Sequence, residues 1–235
     1  MSPTHAMVLA AGLGLRMRPL TEKAPKPLIA VAGRTLLDRA MDALVAAGVT
    51  DAVVNCHYLA DQIERALAAR TAPRIQMSRE VELLETGGGI AKALPLLGRE
   101  PFYTVNADIA WRDGRKSALG RLGGAWRDDA DAVLLLHLTP RAFGYDGMGD
   151  YMLDPLGFPR RRKPIEVVPY VYTGIALLHP RLFDGAPRGK FSLTALFDRA
   201  ERAKRLRGIV HDGEWFHIGT PDGLAVAQRE LAASV

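Results

Sequence analysis

Between Met7 and Asp108, four short apolar runs alternate with three segments of helical periodicity, and few folds accept that order. Met7 to Ala11 reads as a buried strand. Thr35 stands as an N-cap, with Asp38 three positions on as a loose capping box. Leu36, Leu37, Ala40, Met41, Leu44 and Val45 follow at helical spacing, and Gly48 closes the segment. Asp51 to Cys56 is a second strand, and Ala60 to Arg70 a second helix with Ile63, Ala66 and Leu67 on its inner face. Arg74 to Ser78 is a third strand. Ile90 to Leu97 continues a helix opened by three glycines. Phe102 to Asn106 is a fourth strand that runs out at Asp108. This β-α-β-α-β-α-β order predicts a parallel, doubly wound α/β sheet. Such sheets bind ligands outside the carboxyl ends of their strands, which singles out the loop after Ala11 and the turn at Asp108.

The second half is less regular. Asp131 to Leu138 and Val168 to Leu178 read as strands, and Arg141 to Arg162, rich in Gly, Pro and charge, as an antiparallel, substrate-facing extension. Leu193, Leu196, Phe197 and Ala200 mark a helix. Leu206 to His211 and Trp215 to Ile218 are short strands. Pro221 to Ala233 is a last helix, with Thr220 as N-cap and Pro221 at its first position. No repeat or linker interrupts the 235 residues, so a single domain over 1–235 is expected.

Composition narrows the function. Hydrophobic residues make up 48% of the chain, enough for a sizeable core, yet no apolar run reaches the roughly 18 residues that span a bilayer. Met1 to Met7 holds no basic stretch leading into an apolar region, and one cysteine, Cys56, cannot form an internal disulfide. These features point to the cytoplasm without a membrane partner. The net charge is +5, but apart from Arg160 to Lys163 the cations are spread along the chain. That distribution suits small phosphorylated ligands rather than nucleic acid. No Ser-His-Asp or Cys-His set is evident, and Cys56 reads as a small buried hydrophobe.

The strongest local signal is Leu9-Ala10-Ala11-Gly12-Leu13-Gly14-Leu15-Arg16-Met17-Arg18-Pro19-Leu20, followed by Pro25-Lys26-Pro27-Leu28. A glycine-rich loop directly after a strand lets backbone N–H groups approach phosphates. Arg16 adds a planar guanidinium suited to phosphate oxygens, and Lys26, restrained between two prolines, returns an ammonium to the same pocket. The loop lacks the third glycine of a dinucleotide fingerprint and the ending of a P-loop. Cys56 and His57 stand where a dehydrogenase would close its second strand with an acid.

This segment resembles the signature of the sugar-1-phosphate nucleotidyltransferase family. Further matches follow in order: Glu85-Thr86-Gly87-Gly88-Gly89-Ile90, Val105-Asn106-Ala107-Asp108, Lys163-Pro164, Tyr172-Thr173-Gly174 and Trp215-Phe216-His217-Ile218-Gly219-Thr220. Together they span Met7 to Leu224. Within the family the likeness is to the short bacterial N-acetylmuramate-1-phosphate uridylyltransferases of peptidoglycan recycling, through E-T-G-G-G-I and Gly149-Asp150-Tyr151. Mannose- or heptose-1-phosphate guanylyltransferases, and an inactive nucleotide-binding regulator, are the alternatives. The resemblance implies a Rossmann-like, GT-A-like fold that joins a nucleoside triphosphate to a sugar 1-phosphate, as a monomer or small homo-oligomer.

It also implies roles. Ala11, Gly12 and Gly14 cradle the triphosphate, while Arg16 and Lys26 neutralise the reacting phosphates. Glu80 and Gly87 contact base or ribose. Asn106, Asp150, Lys163, Thr173 and Gly174 form the sugar-phosphate side, and Asp108 holds Mg²⁺, with Mn²⁺ as the alternative. The late motif of the family carries Asp where this chain has His217. Imidazole suits Mg²⁺ poorly. His217 is therefore expected to hold the metal through water, to bind a softer ion, or to meet a phosphate as imidazolium.

Overall fold

The computed structural model describes residues 3–233, so Met1 and Ser2 of the segment read above for a leader lie outside it. Strand β1 (His5–Leu9) runs through the centre of the sheet, with Ala6 and Val8 on one face and Met7 on the other, all buried. It ends two residues before the apolar run does. The Ala10 N–H donates to the side-chain Oδ1 of Asn55 on the neighbouring strand (2.8 Å), and the loop begins there. A small hairpin, β2 (Ala30–Val31) and β3 (Arg34–Thr35), leads into α1 (Leu36–Ala46). The expected cap forms: Asp38 N–H donates to Thr35 Oγ1 (3.0 Å). Gly48 follows the helix with φ +87°, a conformation that glycine takes without steric cost.

β4 (Asp51–Cys56), α2 (Ala60–Leu67), β5 (Arg74–Arg79), α3 (Glu85–Leu97) and β6 (Phe102–Asn106) continue the alternation. The strands lie in the order β6-β1-β4-β5, all parallel. Like the β2–β3 hairpin, β7 (Ile109–Arg112) and α4 (Ala118–Ala125) were not expected from the sequence. β8 (Ala132–Leu138) follows. The Gly- and Pro-rich stretch folds as the anticipated hairpin, β9 (Tyr151–Leu153) with β10 (Pro159–Arg161). β11 (Tyr170–Leu178) runs antiparallel between β6 and β8, and α5 (Leu193–Arg202) and β12 (Leu206–Val210) complete the nine-stranded sheet. The result is an α/β sheet, mostly parallel, with a small antiparallel extension. β13 (Glu214–His217) leaves this sheet and pairs antiparallel with β7, which puts His217 opposite Ile109. α6 (Pro221–Ala232) is capped by Thr220, whose Oγ1 accepts from Gly223 N–H (3.2 Å).

Two large apolar clusters fill the faces of the sheet, one beneath α1, α2 and α4, the other beneath α3 and α5. A third, smaller cluster bears directly on the site. Ala227 and Leu231 of α6 pack with Met17, Leu36, Phe216 and Ile218. Met17 follows Arg16, and Phe216 and Ile218 flank His217; all three are fully buried. Each contributes about 1.5–3 kcal/mol of apolar burial, so the two polar side chains sit on fixed backbone. Among the described residues, no helix is long and apolar enough to cross a membrane.

Candidate active site

Four strand ends converge on the site. β1 delivers the glycine loop. Gly14 adopts φ +62°, and a Cβ there would stand 2.9 Å from Thr21 Cγ2 and 3.2 Å from Lys26 Cβ, so both conformation and packing require glycine. The Thr21 hydroxyl donates to the Gly14 carbonyl (2.8 Å) and folds the loop back toward Lys26. Gly12 is different: nothing lies within 4 Å of its missing Cβ, which leaves its backbone open for a ligand. β6 ends at Asn106, and the Ala107 N–H donates to the Leu9 carbonyl (3.0 Å), tying the turn that carries Asp108 to the glycine loop.

These connections gather Ala11, Gly12, Gly14, Arg16, Lys26, Asn106 and Asp108 around one cleft of about 470 Å³. Lys26, buried in a short 3₁₀ turn, donates from Nζ to Asp108 Oδ2 at 2.8 Å. The Asp108 side chain remains 41% exposed toward the opening, which leaves it accessible to a further positive partner. His217 approaches from β13. A Cβ on Gly219 would lie 2.4 Å from His217 Nε2 and 3.1 Å from an Arg16 guanidinium nitrogen, so both side chains converge on that glycine.

Burial holds the His217 imidazole below its ordinary pKa, and the charges of Lys26 and Arg16 push it further down against the opposing pull of Asp108. At neutral pH it is an uncharged imidazole. The imidazolium role expected above is therefore not the form this environment favours.

Several residues expected at the site stand elsewhere. Glu80 is buried and its carboxylate is occupied: Oε1 accepts from Asn55 Nδ2 (2.7 Å) and Oε2 from Leu84 N–H (2.9 Å). It acts at one remove, because Asn55 in turn accepts the Ala10 N–H. The relay Ala10–Asn55–Glu80–Leu84 fixes two walls of the cleft. Gly87 does not face the cleft either. It lies in the first turn of α3, where a Cβ would meet the Phe191 ring at 2.4 Å, so packing explains it. Thr173 is fully buried at an irregularity in β11; its hydroxyl donates to the Leu135 carbonyl (2.8 Å), and its own carbonyl accepts from Trp215 Nε1 (3.0 Å). It lines no pocket. Gly174, at φ +82°, makes room for Asn106, whose Nδ2 would be 2.8 Å from a Cβ. Asp150 Oδ2 accepts from Tyr172 N–H (2.8 Å), and Lys163 lies exposed beyond β10.

Glu85 and Thr86, which open the glycine motif matched above, line the cleft, as do Asn55 and Leu83, which were not singled out from the sequence. Asn55 carried a usable signal, a polar residue inside the apolar run Ala52-Val53-Val54-Asn55-Cys56. Cys56 is buried, and desolvation raises its thiol pKa, so it is no nucleophile.

A glycine-rich loop, two cations and a strand-terminal carboxylate meet at the C-terminal rim of a parallel sheet, the arrangement a nucleotidyltransferase requires. The MobA-like NTP transferase domain matches residues 6–210, and the chain belongs to that family. N-acetylmuramate alpha-1-phosphate uridylyltransferase of Caulobacter vibrioides is 43% identical, covering 98% of each chain. The protein of the same name from Neisseria meningitidis is 37% identical, over 97% of this chain and 98% of its own. Among solved structures, UDP-glucose pyrophosphorylase complexed with UDP-glucose superposes over the whole of both chains, with a TM-score of 0.80 at 18% identity.

Proposed function

We propose that the chain is a single-domain enzyme that transfers UMP from UTP to N-acetylmuramic acid 1-phosphate, giving the UDP-sugar and pyrophosphate in peptidoglycan recycling. The observation that carries this is the convergence of the Gly12–Gly14 loop, Arg16, Lys26 and Asp108 on one cleft, in a chain so similar throughout to enzymes of that name. A phosphate oxygen of the sugar attacks the α-phosphorus, the bond to the β-phosphate bridging oxygen breaks, and pyrophosphate leaves with that electron pair. The nucleophile is a phosphate monoester with a second pKa of about 6, so at neutral pH it is largely dianionic and needs no general base. The obstacle is repulsion between anions, and the residues that matter are those that position and neutralise.

Backbone amides of the glycine loop cradle the triphosphate. Arg16 and Lys26 neutralise charge at the reacting phosphate and the leaving group, and Asn106, at the end of β6, orients the sugar phosphate.

Mg²⁺ fits this site. Among the described residues no group of three or more metal-ligating side chains gathers to form a closed cage. A lone accessible carboxylate is what Mg²⁺ uses when substrate phosphates complete its shell. Asp108 would hold it, with His217, neutral, bonded to its water; Mn²⁺ would serve the same position. Bound there, the ion would supply positive charge that stabilises the departing pyrophosphate. We assign the reaction to the cytoplasm, where nucleoside triphosphates are made, and the active species to a monomer or small homo-oligomer.

A guanylyltransferase is the second reading, and Glu85 favours it. Its side chain borders the cleft, and a carboxylate can accept two adjacent N–H groups of guanine. One panel separates the readings. The enzyme is incubated with UTP or GTP and, in turn, N-acetylmuramic acid, mannose and heptose 1-phosphates, and pyrophosphate is measured. Release with UTP and the muramic acid substrate is expected. Release only with GTP and a neutral sugar overturns it, and tight triphosphate binding with no turnover supports a regulator.

A further inference from the structure

This inference rests on the reaction proposed above and concerns two buried side chains behind the cleft. Glu80 makes two side-chain hydrogen bonds among the described residues, neither with a cation: Oε1 accepts from Asn55 Nδ2 (2.7 Å) and Oε2 from Leu84 N–H (2.9 Å). A buried carboxylate without an opposite charge is costly, so stability alone is a poor reason to keep one.

Its two partners belong to different parts of the cleft. Asn55, near the end of β4, accepts the Ala10 N–H (2.8 Å) where the glycine loop begins. Leu84 stands between Leu83 and Glu85, which with Thr86 line the cleft. Three hydrogen bonds in series thus set the separation between the loop Ala11–Gly14 and the segment Leu83–Thr86. Both ends of the relay are anchored. Glu80 N–H donates to the Cys56 carbonyl (2.8 Å), the Leu84 carbonyl accepts from Phe191 N–H (3.1 Å), and Thr86 Oγ1 accepts from Leu193 N–H (3.0 Å). Between the last two anchors Glu85 is held at φ +60°, which a residue other than glycine keeps only where its surroundings enforce it. Gly89 of α3 lies against the pair, since a Cβ there would be 2.7 Å from both Asn55 Nδ2 and Glu80 Oε1.

The cations of the cleft, Arg16 and Lys26, stand with the glycine loop, and Leu83–Thr86 carries none. That segment therefore faces the nucleoside end of the triphosphate. We propose that Asn55 and Glu80 are a positioning pair, holding the loop that receives the phosphates at a fixed distance from the wall that receives the nucleoside. Lys26 and Asp108 have other supports, their own ion pair and the bond from Ala107 N–H to the Leu9 carbonyl. The pair governs triphosphate binding and not the chemical step.

The relay allows one exchange. Aspartate at position 55 would accept from Ala10 N–H and from a glutamine amide at position 80, whose carbonyl would accept from Leu84 N–H. Every polar group is again satisfied. E80Q alone turns an amide donor toward another donor, and N55D alone sets two carboxylates together.

The experiment compares wild type, E80Q, N55D and the double variant N55D/E80Q by steady-state pyrophosphate release, with melting curves. Each single variant is expected to raise KM for UTP about ten- to hundred-fold, the range for leaving a buried polar group unpaired. Because only binding is lost, kcat and KM for the sugar phosphate should stay near wild type. The double variant is expected to return to within about fivefold of wild type, the remainder reflecting a charge moved closer to the phosphates. An unchanged KM for UTP in the single variants overturns the proposal, as does a loss confined to kcat, or a double variant no better than the worse single one. If a single variant fails to fold, the double variant decides alone: a KM near wild type supports the pair, and one raised a hundredfold overturns it. Pyrophosphate release by the wild type with GTP and not UTP is a different result. It overturns the base assigned above, and the same comparison made on GTP decides the pair by the same criteria.

Discussion

Replacing Lys26 with methionine is expected to lower kcat by about two to three orders of magnitude, the usual cost of removing one preorganised group aimed at developing negative charge. Methionine nearly matches the lysine stem in length and shape, and Lys26 is almost wholly buried between Pro25 and Pro27, so the loop should keep its packing. What is lost is the ammonium held 2.8 Å from Asp108. In a water-poor cleft that charge offsets repulsion between a dianionic nucleophile and a triphosphate, and little else in reach can replace it. Arg16 stands beside His217, against Gly219. Pyrophosphate release at saturating substrates reads the effect directly. A loss smaller than tenfold, with an unchanged melting temperature, would mean that Lys26 holds Asp108 in place and does not act on the reaction.

Asp108→Asn is expected to cost a comparable two to three orders of magnitude, about what a charge-stabilising group or metal contributes, with a distinct signature. The amide keeps the size of the side chain but gives up the negative charge that holds a hard cation. Because Asp108 is the carboxylate held beside Lys26 at the glycine loop, its removal should shift the Mg²⁺ dependence to much higher concentration, and raising Mg²⁺ should restore part of the rate. A titration of rate against Mg²⁺ for both enzymes is the check. If the two curves coincide in midpoint, Asp108 does not hold the metal, whatever the change in maximal rate.

The features legible in the sequence were those whose causes are local. The capping box of Thr35 and Asp38 uses residues three apart, and the glycine loop, Arg16 and Lys26 fall within fifteen residues. Parallel strands β1, β4, β5 and β6 announced themselves as apolar runs separated by helices, which implied a parallel sheet. Roles that depend on distant partners were not legible. Thr173 looked like a pocket residue because its neighbours match a motif, but its side chain bonds Leu135, 38 residues away, across the irregular pairing of β11. Glu80 looked like a ligand contact, yet its carboxylate reaches Asn55, 25 residues off, and supports the loop from behind. β7 was missed because it is four residues long and meets its partner β13 only after about a hundred residues, in a pairing no local pattern reveals. The glycines of α3 were read as a ligand loop. Gly87 and Gly88 are small because Phe191 and Gly189 press on them, a packing constraint written in the second half of the chain, and Gly89 because Asn55 and Glu80 do. His217 is the same kind of case, since its protonation is set by burial and by neighbouring cations.

The central claim is a single in-line displacement between two anions, with no group on the protein forming a bond to phosphorus. Stereochemistry at the α-phosphorus tests it most directly. UTP carrying sulfur at one configuration of the α-phosphate is converted with N-acetylmuramic acid 1-phosphate, and the configuration of the UDP-sugar is read by phosphorus NMR. Inversion is the expected result. Retention would mean two successive displacements through a covalent intermediate on a side chain such as Lys26, Asp108 or His217, and it would contradict the claim.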